Sequence, residues 1–459
     1  MKTDLLSKKN TFFEVTPSVF SLALPTMLDE LLGTAVQYID TFMVSSMGML
    51  ATAAVGSTST VNWLVGSTTN AFSIGFLSYI SKKLGAEDPE SAKRASAQSV
   101  LVTLFTGILF TVLTLSLSGR IPIWMHTDAQ VYDLARRYFF IIYSPMLFRA
   151  AQIIFGTILR AAGDAKTPMR VGILVNLIDV VLNFLLIYDT RSCLVFGLAL
   201  RIPGAGWGVV GAAVATAVSY VFGGVAITLS FLRHKVISPL GFSLRPDGKI
   251  LRPCIRIAIP NMLQRFCTSL GYVFFAGMIN SLGAAATAAH TIANTVESAF
   301  YIPGYGMQTA AATLTGNAIG AGDSYRRKNV ASTILVLEVG MMILTGGLLF
   351  LFAPQMMSLF SKDASVILLG STVLKMVALS EPFYGISIVT EGMLMGAGKT
   401  LAPFFFSAGT MWLVRILGTY ICIHGFGLGL VSAWGCMIAN NMSLLVCLRI
   451  YTRHCSWDT

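Results

Sequence analysis

The sequence predicts an all-α membrane protein of twelve transmembrane helices, arranged as two six-helix bundles related by a pseudo-two-fold axis along the membrane normal. Three observations lead to this fold class. Of the 459 residues, 55% are hydrophobic and only 12% are charged, which is too few charges to cover a water-soluble protein of this size. Apolar stretches of about 20 residues, the length that crosses a bilayer, recur along the chain. The second half of the sequence also repeats the first.

The apolar stretches define twelve spans, and several exceed the minimum length, which indicates helices that tilt, bend or project beyond the bilayer. The first of them follows a polar N-terminus and is far longer than the apolar part of a signal peptide, so we expect it to remain as span one. The predicted spans are residues 15–40, 53–80, 94–117, 131–160, 166–188, 207–232, 250–281, 288–316, 329–352, 366–395, 401–424 and 427–451.

The basic residues are distributed unevenly between the two sides of the predicted membrane. Of the 32 lysines and arginines, 22 fall in the two tails, in the even-numbered connections or in the span ends beside them, whereas the opposite connections hold only Arg120, Arg191, Arg201 and Lys362. This positive-inside bias places both termini in the cytoplasm. The net charge of +11 is therefore interpreted as a topology signal, and we expect no nucleic-acid partner.

The second half of the sequence repeats the first at a fixed offset, the one that places Pro25 on Pro260. At this offset "LPTMLDELLGTAVQYIDTFMVSSMGMLATAA" aligns without a gap with "IPNMLQRFCTSLGYVFFAGMINSLGAAATAA". The same register still holds where Pro168 falls on Pro403, and it ends at an insertion, residues 189–203. After the insertion, "GWGVVGAA" matches "GLGLVSAW" at a shorter offset. A shared register of this length indicates an internal duplication.

The duplication predicts two halves of six spans in the same topology. Parallel repeats of this kind are related by an axis along the membrane normal and enclose a cavity where they meet, a plan common in alternating-access carriers. The predicted organisation is a cytoplasmic tail (1–14), an N-terminal six-helix bundle (15–232), a cytoplasmic linker (233–249), a C-terminal six-helix bundle (250–451) and a second cytoplasmic tail (452–459).

The fifth span, "GILVNLIDVVLNFLLIY", carries three polar residues on one stripe of a helix. Asn176 and Asp179 are three positions apart, and Asp179 and Asn183 are four positions apart, which makes seven positions from Asn176 to Asn183. These spacings place all three on one face of a helix. A carboxylate in the hydrocarbon region costs roughly 2.5–3.5 kcal/mol on insertion scales, so it marks a functional site by default. One carboxylate and two amides could hold a proton or Na⁺; the alternative is a hydrogen-bonded seam between helices.

Four motifs resemble the multidrug and toxic compound extrusion (MATE) family. They are "ALPTMLDELLGTAVQYIDTFMVSSMGMLATAAVG" in span one, its copy "GAAATAAHTIA", the turn "ILRAAGDAKTP" and "GAGWGVVGAAVATAVS" at span six. Each motif is weak alone, but together, in order and duplicated, they are specific, and the resemblance covers roughly residues 15–450. It implies an antiporter that expels organic cations or amphipathic compounds in exchange for H⁺ or Na⁺.

The resemblance also implies a coupling site in the first half. Asp40 in "YIDTFMV" matches the family's acid in span one, and Thr216 in "VATAVS" matches a threonine of span six. In span five the family pattern has an amide where Asp179 stands and an acid where Asn183 stands, so the pair is exchanged. The predicted site for H⁺ or Na⁺ comprises Asp40, Asn176, Asp179, Asn183 and Thr216. If the ion is Na⁺, its predicted ligands are Asp40, Asp179 and Asn183.

The second half departs from the family pattern. One branch of the family has an acid in span seven and another in span ten, and the matching positions here are Thr268 and Tyr384. Glu297 and Glu381 are nearby acids that could substitute for them. Glu338 and Glu391 are further intramembrane acids. Partners for such acids could be Arg149, Lys375 and Arg415.

Span one carries two more acids, Asp29 and Glu30. Asp29 lies eleven residues before Asp40, which returns to nearly the same helix face, so these acids could line one water-filled wall. Alternatively, Asp29 or Glu30 pairs with a basic residue such as Arg265. A carboxylate at the position of Asp40, near the outer end of the span, could also simply be solvated. The candidate substrate cavity comprises Asp29, Glu30, Glu297, Glu381 and Tyr384.

Other chemistries find little support in the sequence. The seven cysteines form no metal-ligand pattern, no phosphate-binding GxxxxGK[ST] motif occurs, and no nucleophile stands in a triad context, so we expect neither an enzyme nor a cofactor. We expect a monomer in the cell (inner) membrane that contacts lipid and small amphipathic or cationic substrates. The alternatives are a lipid-linked oligosaccharide flippase, which would need a strongly cationic cavity, and a receptor or channel.

Overall fold

A computed structural model describes residues 12–125, 129–195 and 198–457, and almost all of these residues are helical. The helices are α1 (Phe12–Ser45), α2 (Met49–Gly85), α3 (Pro89–Leu117), α4 (Ile121–Trp124), α5 (Ala129–Tyr143), α6 (Met146–Ala161), α7 (Lys166–Leu186), α8 (Gly208–Leu232), α9 (Gly248–Asn280), α10 (Ala284–Gly320), α11 (Ser324–Phe360), α12 (Ala364–Ala378), α13 (Glu381–Gly396), α14 (Leu401–Thr410), α15 (Leu417–Tyr420) and α16 (Leu430–His454). Two π-helical segments, Met411–Ile416 and Ile421–Gly425, flank α15.

Seven continuous helical segments in the described ranges are long and apolar enough to cross a membrane. They correspond to α1, α3, α7, α8, α11, α16 and the segment from α14 through the second π-helical turn. Two bent pairs, α5 with α6 and α12 with α13, meet the same requirement and raise the number to nine. The three other long helices, α2, α9 and α10, occupy predicted spans two, seven and eight but contain more polar side chains. Repeated spanning helices confirm the all-α membrane fold class.

The sequence repeat is also a repeat of helix boundaries. The helices α2, α3, α5, α6 and α7 each begin at the position that the repeat aligns with the first residue of α10, α11, α12, α13 and α14, respectively. The bend between α5 and α6 is 49°, and the bend between α12 and α13 is 55°. Paired glycines adopt the same left-handed backbone, with φ of 85° at Gly163 and 73° at Gly398, which a residue with a Cβ adopts only with strain. The two halves therefore share their local structure as well as their sequence.

The insertion that interrupts the repeat forms a β-hairpin. Strands β1 (Asp189–Val195) and β2 (Leu198–Ala205) pair antiparallel, with Cys193 opposite Leu200, and the pairing shifts register near Asp189. The hairpin follows α7 directly and leads into α8, so it is the connection between predicted spans five and six.

By packing, the chain divides into two compact units. Among the described residues, unit 1 contains the chain up to Glu30, Leu77–Asp88 and the chain from Arg252 onward, and unit 2 contains Leu31–Phe76 and Pro89–Leu251. The start of α1 and the end of α2 thus group with the C-terminal unit. The predicted division into sequential six-helix bundles, 15–232 and 250–451, stays a prediction.

Unit 1 is held together by an apolar core and by close helix contacts. Its core contains Trp434, Leu349 and Val373, each fully buried. The end of α2 is anchored to the turn after α13, since Ser78 Oγ donates to the Gly396 carbonyl at 2.9 Å and Lys82 Nζ to the Ala397 carbonyl at 2.7 Å. This turn is the second-half copy of "ILRAAGDAKTP".

Unit 2 has two apolar clusters, one where α1, α2, α5, α8 and the end of α7 meet and one where α2, α4, α5 and α6 meet. One contains Met43, Ala54, Ala135 and Ala212, and the other is built around Phe139 and Tyr143. The first cluster packs the last part of α1 against its neighbours within unit 2, and this part of α1 carries Asp40.

Candidate functional site

The buried face of α7 changes from apolar to polar along its length. Val171, Val175, Asp179 and Asn183 succeed one another at intervals of four, and all four side chains are buried. Asp179 is 5% exposed and Asn183 is 1% exposed. An interval of four keeps side chains on one side of a helix, so the polar pair occupies the place where the packing pattern would otherwise continue with aliphatic residues.

Asn183 bridges two carboxyl groups from different helices. Its amide nitrogen Nδ2 donates to Asp40 Oδ1 on α1 at 2.7 Å and to Asp179 Oδ2 on α7 at 3.3 Å. The carboxyl groups of Asp40 and Asp179 thus face each other across one amide. The structure brings together the acid of span one and the acid–amide pair of span five, which lie far apart in the sequence.

Helix α8 contributes hydroxyl groups to the same place. Thr216 and Ser219 face the carboxyl group of Asp179, and Ser219 also donates to the Ala215 carbonyl at 2.9 Å. Close packing of α8 on α7 makes this possible. A Cβ at Gly211 of α8 would lie 2.4 Å from the carbonyl oxygen of Leu186, a separation that atoms do not tolerate, so only glycine fits there.

The cluster of Asp40, Asp179, Asn183, Thr216 and Ser219, here called the coupling cluster, lacks a cationic side chain. No lysine or arginine of the described chain forms an ion pair with Asp40 or Asp179. Asp179 Oδ1 and Asn183 Oδ1 are buried and accept no hydrogen bond from any residue that the structure describes. Buried polar oxygens are normally satisfied, and two facing carboxyl groups cannot both stay charged without a positive charge between them.

The oxygens of the coupling cluster have the chemistry to bind Na⁺ or to carry a proton. Carboxylate, amide carbonyl and hydroxyl oxygens are the ligands that hard cations prefer, and such groups hold Na⁺ or H⁺ in carriers. A proton shared between Asp40 and Asp179 would equally remove the repulsion of the pair. In the part of the chain that the structure describes, no group of three or more His, Cys, Asp or Glu side chains is arranged to hold a metal ion.

One residue predicted for the site, Asn176, lies outside the hydrogen-bonded part of the coupling cluster. Asn176 is half-buried, and no hydrogen bond among the described residues joins it to Asp40, Asp179 or Asn183. Its role stays a prediction.

Two neighbours of the site, Ser219 and Tyr138, were not predicted from the sequence. Ser219 could have been found, since it lies three residues after Thr216 and hence on the same face of α8. Tyr138 on α5 approaches both acids, and no local sequence pattern indicates this.

Replacing Gly211 with alanine is expected to lower the thermal stability of the purified protein. The new methyl group would overlap the Leu186 carbonyl and force α8 away from α7, at a cost of about 1–3 kcal/mol for overpacking. The apparent melting temperature in detergent measures the effect. Gly33→Ala is the matched control, because a Cβ at Gly33 meets no atom within 4 Å and alanine favours a helix. Equal melting temperatures for the two variants would contradict the close-packing argument.

The two acids predicted as substitutes in the second half are buried inside unit 1. Glu297 on α10 is 5% exposed, and Glu381, the first residue of α13, is 1% exposed. Glu297 has Arg415 as its charged neighbour. Arg415 belongs to the first π-helical segment and lies over the rings of Tyr272, at 4.7 Å, and Phe275, at 4.2 Å. Its charge is thereby held by aromatic faces as well as by the glutamate.

Tyr384 belongs to an aromatic cluster of α10 and α13. Its hydroxyl oxygen is 3.5 Å from that of Tyr305, and its ring is 5.6 Å from the ring of Tyr301, edge to face. Two turns further along α13, Glu391 accepts a hydrogen bond from Gln264 of α9 at 2.9 Å. Tyrosine faces attract cations, so this cluster has the chemistry of a site for organic cations.

Asp29 and Glu30 lie on the part of α1 that packs in unit 1, whereas Asp40 lies on the part that packs in unit 2. Asp29 is half-buried and Glu30 is exposed. The predicted wall that these acids would share with Asp40 stays a prediction, and so does their pairing with Arg265. Of the other predicted cationic partners, Arg149 donates to Asn62 and lies over the Tyr220 ring at 4.9 Å.

Comparison with known proteins agrees with this architecture. The MatE family model matches residues 25–185 and 260–421, and these two segments begin at Pro25 and Pro260, a pair that the internal repeat aligns. A probable multidrug resistance protein, NorM, of Thermotoga maritima is 28% identical over 93% of this chain and 90% of its own length. The multidrug export protein MepA of Staphylococcus saprophyticus is 25% identical over 83% of this chain and 81% of its own length.

Solved structures share the fold over nearly the whole chain. One, described as the outward-facing conformation of a multidrug resistance MATE family transporter of the MOP superfamily, superposes with a TM-score of 0.89. It covers 98% of this chain and 97% of that chain at 22% sequence identity. This likeness confirms the predicted fold class. Since the family model matches well over half of the sequence, the chain belongs to the multidrug and toxic compound extrusion (MATE) family.

Proposed function

We propose that this protein exports organic cations or amphipathic drugs in exchange for H⁺ or Na⁺, by alternating access. Several relatives that match most of the chain are named as multidrug resistance or multidrug export proteins, which supports drug export. One observation supports the ion coupling. Asp40 and Asp179 face each other within unit 2, bridged by a single amide, with no cationic side chain of the described residues paired to either.

The coupling cluster has the chemistry of a site whose charge changes during transport. With a cation or proton bound, the attraction to Asp40 and Asp179 draws α1, α7 and α8 together. Without it, the two carboxylates repel each other in a medium of low dielectric constant, which favours a looser arrangement or the entry of water. Ion binding thus changes the relative stability of two conformations, and this is the requirement for coupling.

Export follows if substrate and ion favour opposite conformations. An ion that enters from outside would stabilise the conformation that releases the substrate, and substrate that binds from inside would stabilise the other. Such coupling is reciprocal, so each ligand weakens the binding of the other by the same factor. The tyrosine cluster of Tyr301, Tyr305 and Tyr384 is the part of unit 1 that we assign to substrate binding.

We further propose that the protein lies in the cell (inner) membrane and acts as a monomer, with both termini in the cytoplasm, as the distribution of basic residues predicts. Cysteine accessibility tests the orientation. In a variant whose seven native cysteines are replaced by serine, Glu87→Cys, in the connection between α2 and α3, should react with an impermeant maleimide only in inverted vesicles.

Transport into vesicles tests the proposed function and identifies the ion. We expect purified protein in liposomes to move the lipophilic cation tetraphenylphosphonium against its gradient when an imposed pH difference or an imposed Na⁺ gradient drives exchange. The control variant Asp133→Asn should transport like the wild type, because Asp133 is exposed and pairs with Arg137 on the surface at 2.9 Å. Movement that requires neither gradient, or none under either, would contradict the proposal.

A further inference from the structure

Two free cysteines of unit 1 lie against each other. Cys422, in the second π-helical segment, and Cys436, on α16, place their sulfur atoms 3.8 Å apart, which is close to van der Waals contact. Among the residues that the structure describes, no other free cysteine contacts a second sulfur. The two residues are 14 positions apart, a spacing that carries no signal in the sequence. The pair is therefore a product of the fold.

The chain between the two cysteines makes a short turn. The second π-helical segment ends at Gly425, and α16 begins at Leu430. The backbone N–H of Leu428 donates to the Cys422 carbonyl at 2.9 Å, which holds the turn against the end of the preceding helix. Helices joined by a turn of this length are antiparallel neighbours. Cys422 and Cys436 thus face each other near the two ends that the turn connects.

Gly418 leaves the space that the Cys436 sulfur occupies. A Cβ at Gly418 would lie 3.3 Å from Cys436 Sγ, which is tighter than ordinary contact. Gly418 precedes Cys422 by one helical turn, so both lie on about the same side of span eleven. The hydroxyl group of Thr419 also faces the Cys436 sulfur. The packing of span eleven on α16 therefore places the Cys436 thiol beside that of Cys422.

A cysteine in a helix interface can serve simply as a small apolar residue. Two observations favour chemistry over packing for this pair. Both thiols are half-buried rather than fully buried, so a small reagent reaches them. Cys422 also belongs to a π-helical turn, a departure from regular α-helix that recurs at functional sites.

We propose that Cys422 and Cys436 form a reversible disulfide, and that the oxidant is a small organic disulfide. A disulfide requires the sulfurs to approach from 3.8 Å to about 2.05 Å. Rotation of the two side chains about their Cα–Cβ bonds provides a movement of this size, since each sulfur is already directed at the other.

The reaction is a thiol–disulfide exchange in two steps. Cys422, which is nearer the turn, loses its proton and attacks one sulfur of the reagent. The S–S bond of the reagent breaks, a mixed disulfide forms at Cys422, and one half of the reagent leaves as a thiol. Cys436 then loses its proton and attacks the Cys422 sulfur, which releases the second half as a thiol. Two electrons and two protons thus pass from the protein to the reagent.

The disulfide ties the end of span eleven to α16. The second π-helical segment is the last part of span eleven before the turn, and a covalent bond at Cys422 fixes it to the neighbouring helix. In the proposed orientation this turn lies on the side of the membrane away from the cytoplasm, where disulfides persist. The pairing itself is independent of the proposed drug export, and only the compartment in which the disulfide forms rests on the proposed orientation.

Oxidation of purified full-length protein by oxidised glutathione tests the pairing. The test variant keeps Cys422 and Cys436 and has serine at the other five cysteines. The control keeps Cys422 and Cys447 instead, because Cys447 is also half-buried on α16 but lies about 16 Å further along that helix. After oxidation the protein is denatured, its free thiols are labelled with a maleimide, and its mass is measured.

We expect the test variant to lose both thiols and to become lighter by two hydrogen atoms, without retained glutathione, and dithiothreitol should restore both thiols. The control should give no such product. Unreacted thiols in the test variant, glutathione adducts that do not resolve, or a disulfide between two protein molecules would each overturn the proposal.

Thermal stability and thiol trapping test the two consequences. Because a disulfide restricts the unfolded chain, oxidation should raise the melting temperature of the test variant and leave that of the control unchanged. An oxidised protein no more stable than the reduced one would contradict the fixing of the second π-helical segment. In intact cells treated with a permeant maleimide, the pair should already be protected by its disulfide. A pair that reacts in cells but oxidises when purified would overturn the proposed compartment and leave the pairing supported.

Discussion

Replacing Asp179 with asparagine is expected to reduce drug export to the level of cells without the transporter, while the protein is still made and folded. Asparagine has almost the same shape and keeps a hydrogen-bonding group beside Asn183, Thr216 and Ser219, so packing of α7 against α8 is preserved. It removes the charge that opposes Asp40, and with it the repulsion between two carboxylates that ion binding would relieve. Growth of a pump-deficient host on inhibitory concentrations of a lipophilic cation measures the effect.

Two comparisons make this result specific. Asp133→Asn, an equal substitution at an exposed surface ion pair, should export like the wild type. The melting temperature of Asp179→Asn should be equal to that of the wild type or higher, because removing a buried charge that has no cationic partner among the described residues relieves an unfavourable interaction. Normal export by Asp179→Asn would mean that the coupling cluster is a structural seam between helices.

Exchanging the two residues of α7 should restore export that the single substitution abolishes. In Asp179→Asn/Asn183→Asp, one acid and one amide remain, four residues apart on the buried face of α7. The side chain of residue 183 already reaches Asp40, since the Asn183 amide is 2.7 Å from Asp40 Oδ1. The new carboxyl group would therefore face Asp40, and the pair of opposing acids would be re-formed.

The single substitution Asn183→Asp provides the contrast for this exchange. It would place three carboxyl groups together and remove the amide that donates to both acids, so we expect weaker export than in the double variant and a melting temperature that falls as the pH is raised. A double variant as inactive as Asp179→Asn would show that the position of the acid on α7 matters more than its presence.

The fold was predictable because its signals are local or repeated. Apolar stretches mark the spans, and the register of the internal repeat predicts that helices recur, as α2 and α10 do. The hairpin of β1 and β2 was predicted only as an insertion, since a short segment outside the repeat has no second copy to compare. The grouping of the start of α1 and the end of α2 with unit 1 depends on packing between distant parts of the chain, which periodicity does not report.

The site was predictable where a polar residue interrupts an apolar span. Asp179 and Asn183 stand out in span five for this reason, and Asp40 was assigned through the family resemblance. Tyr138 gives no such signal, because a tyrosine is common in membrane helices whether or not it approaches an acid. Glu338 was visible as an intramembrane acid, but its enclosure by Gly304 and Gly385 requires three helices to be placed together.

The most direct test is the affinity for tetraphenylphosphonium, measured on purified protein while pH and Na⁺ concentration are varied separately. If the coupling cluster binds the driving ion, the dissociation constant of wild-type protein rises with the concentration of H⁺ or of Na⁺. We predict that this rise becomes much smaller in Asp40→Asn/Asp179→Asn. An unchanged dependence in that variant would contradict ion coupling at Asp40 and Asp179.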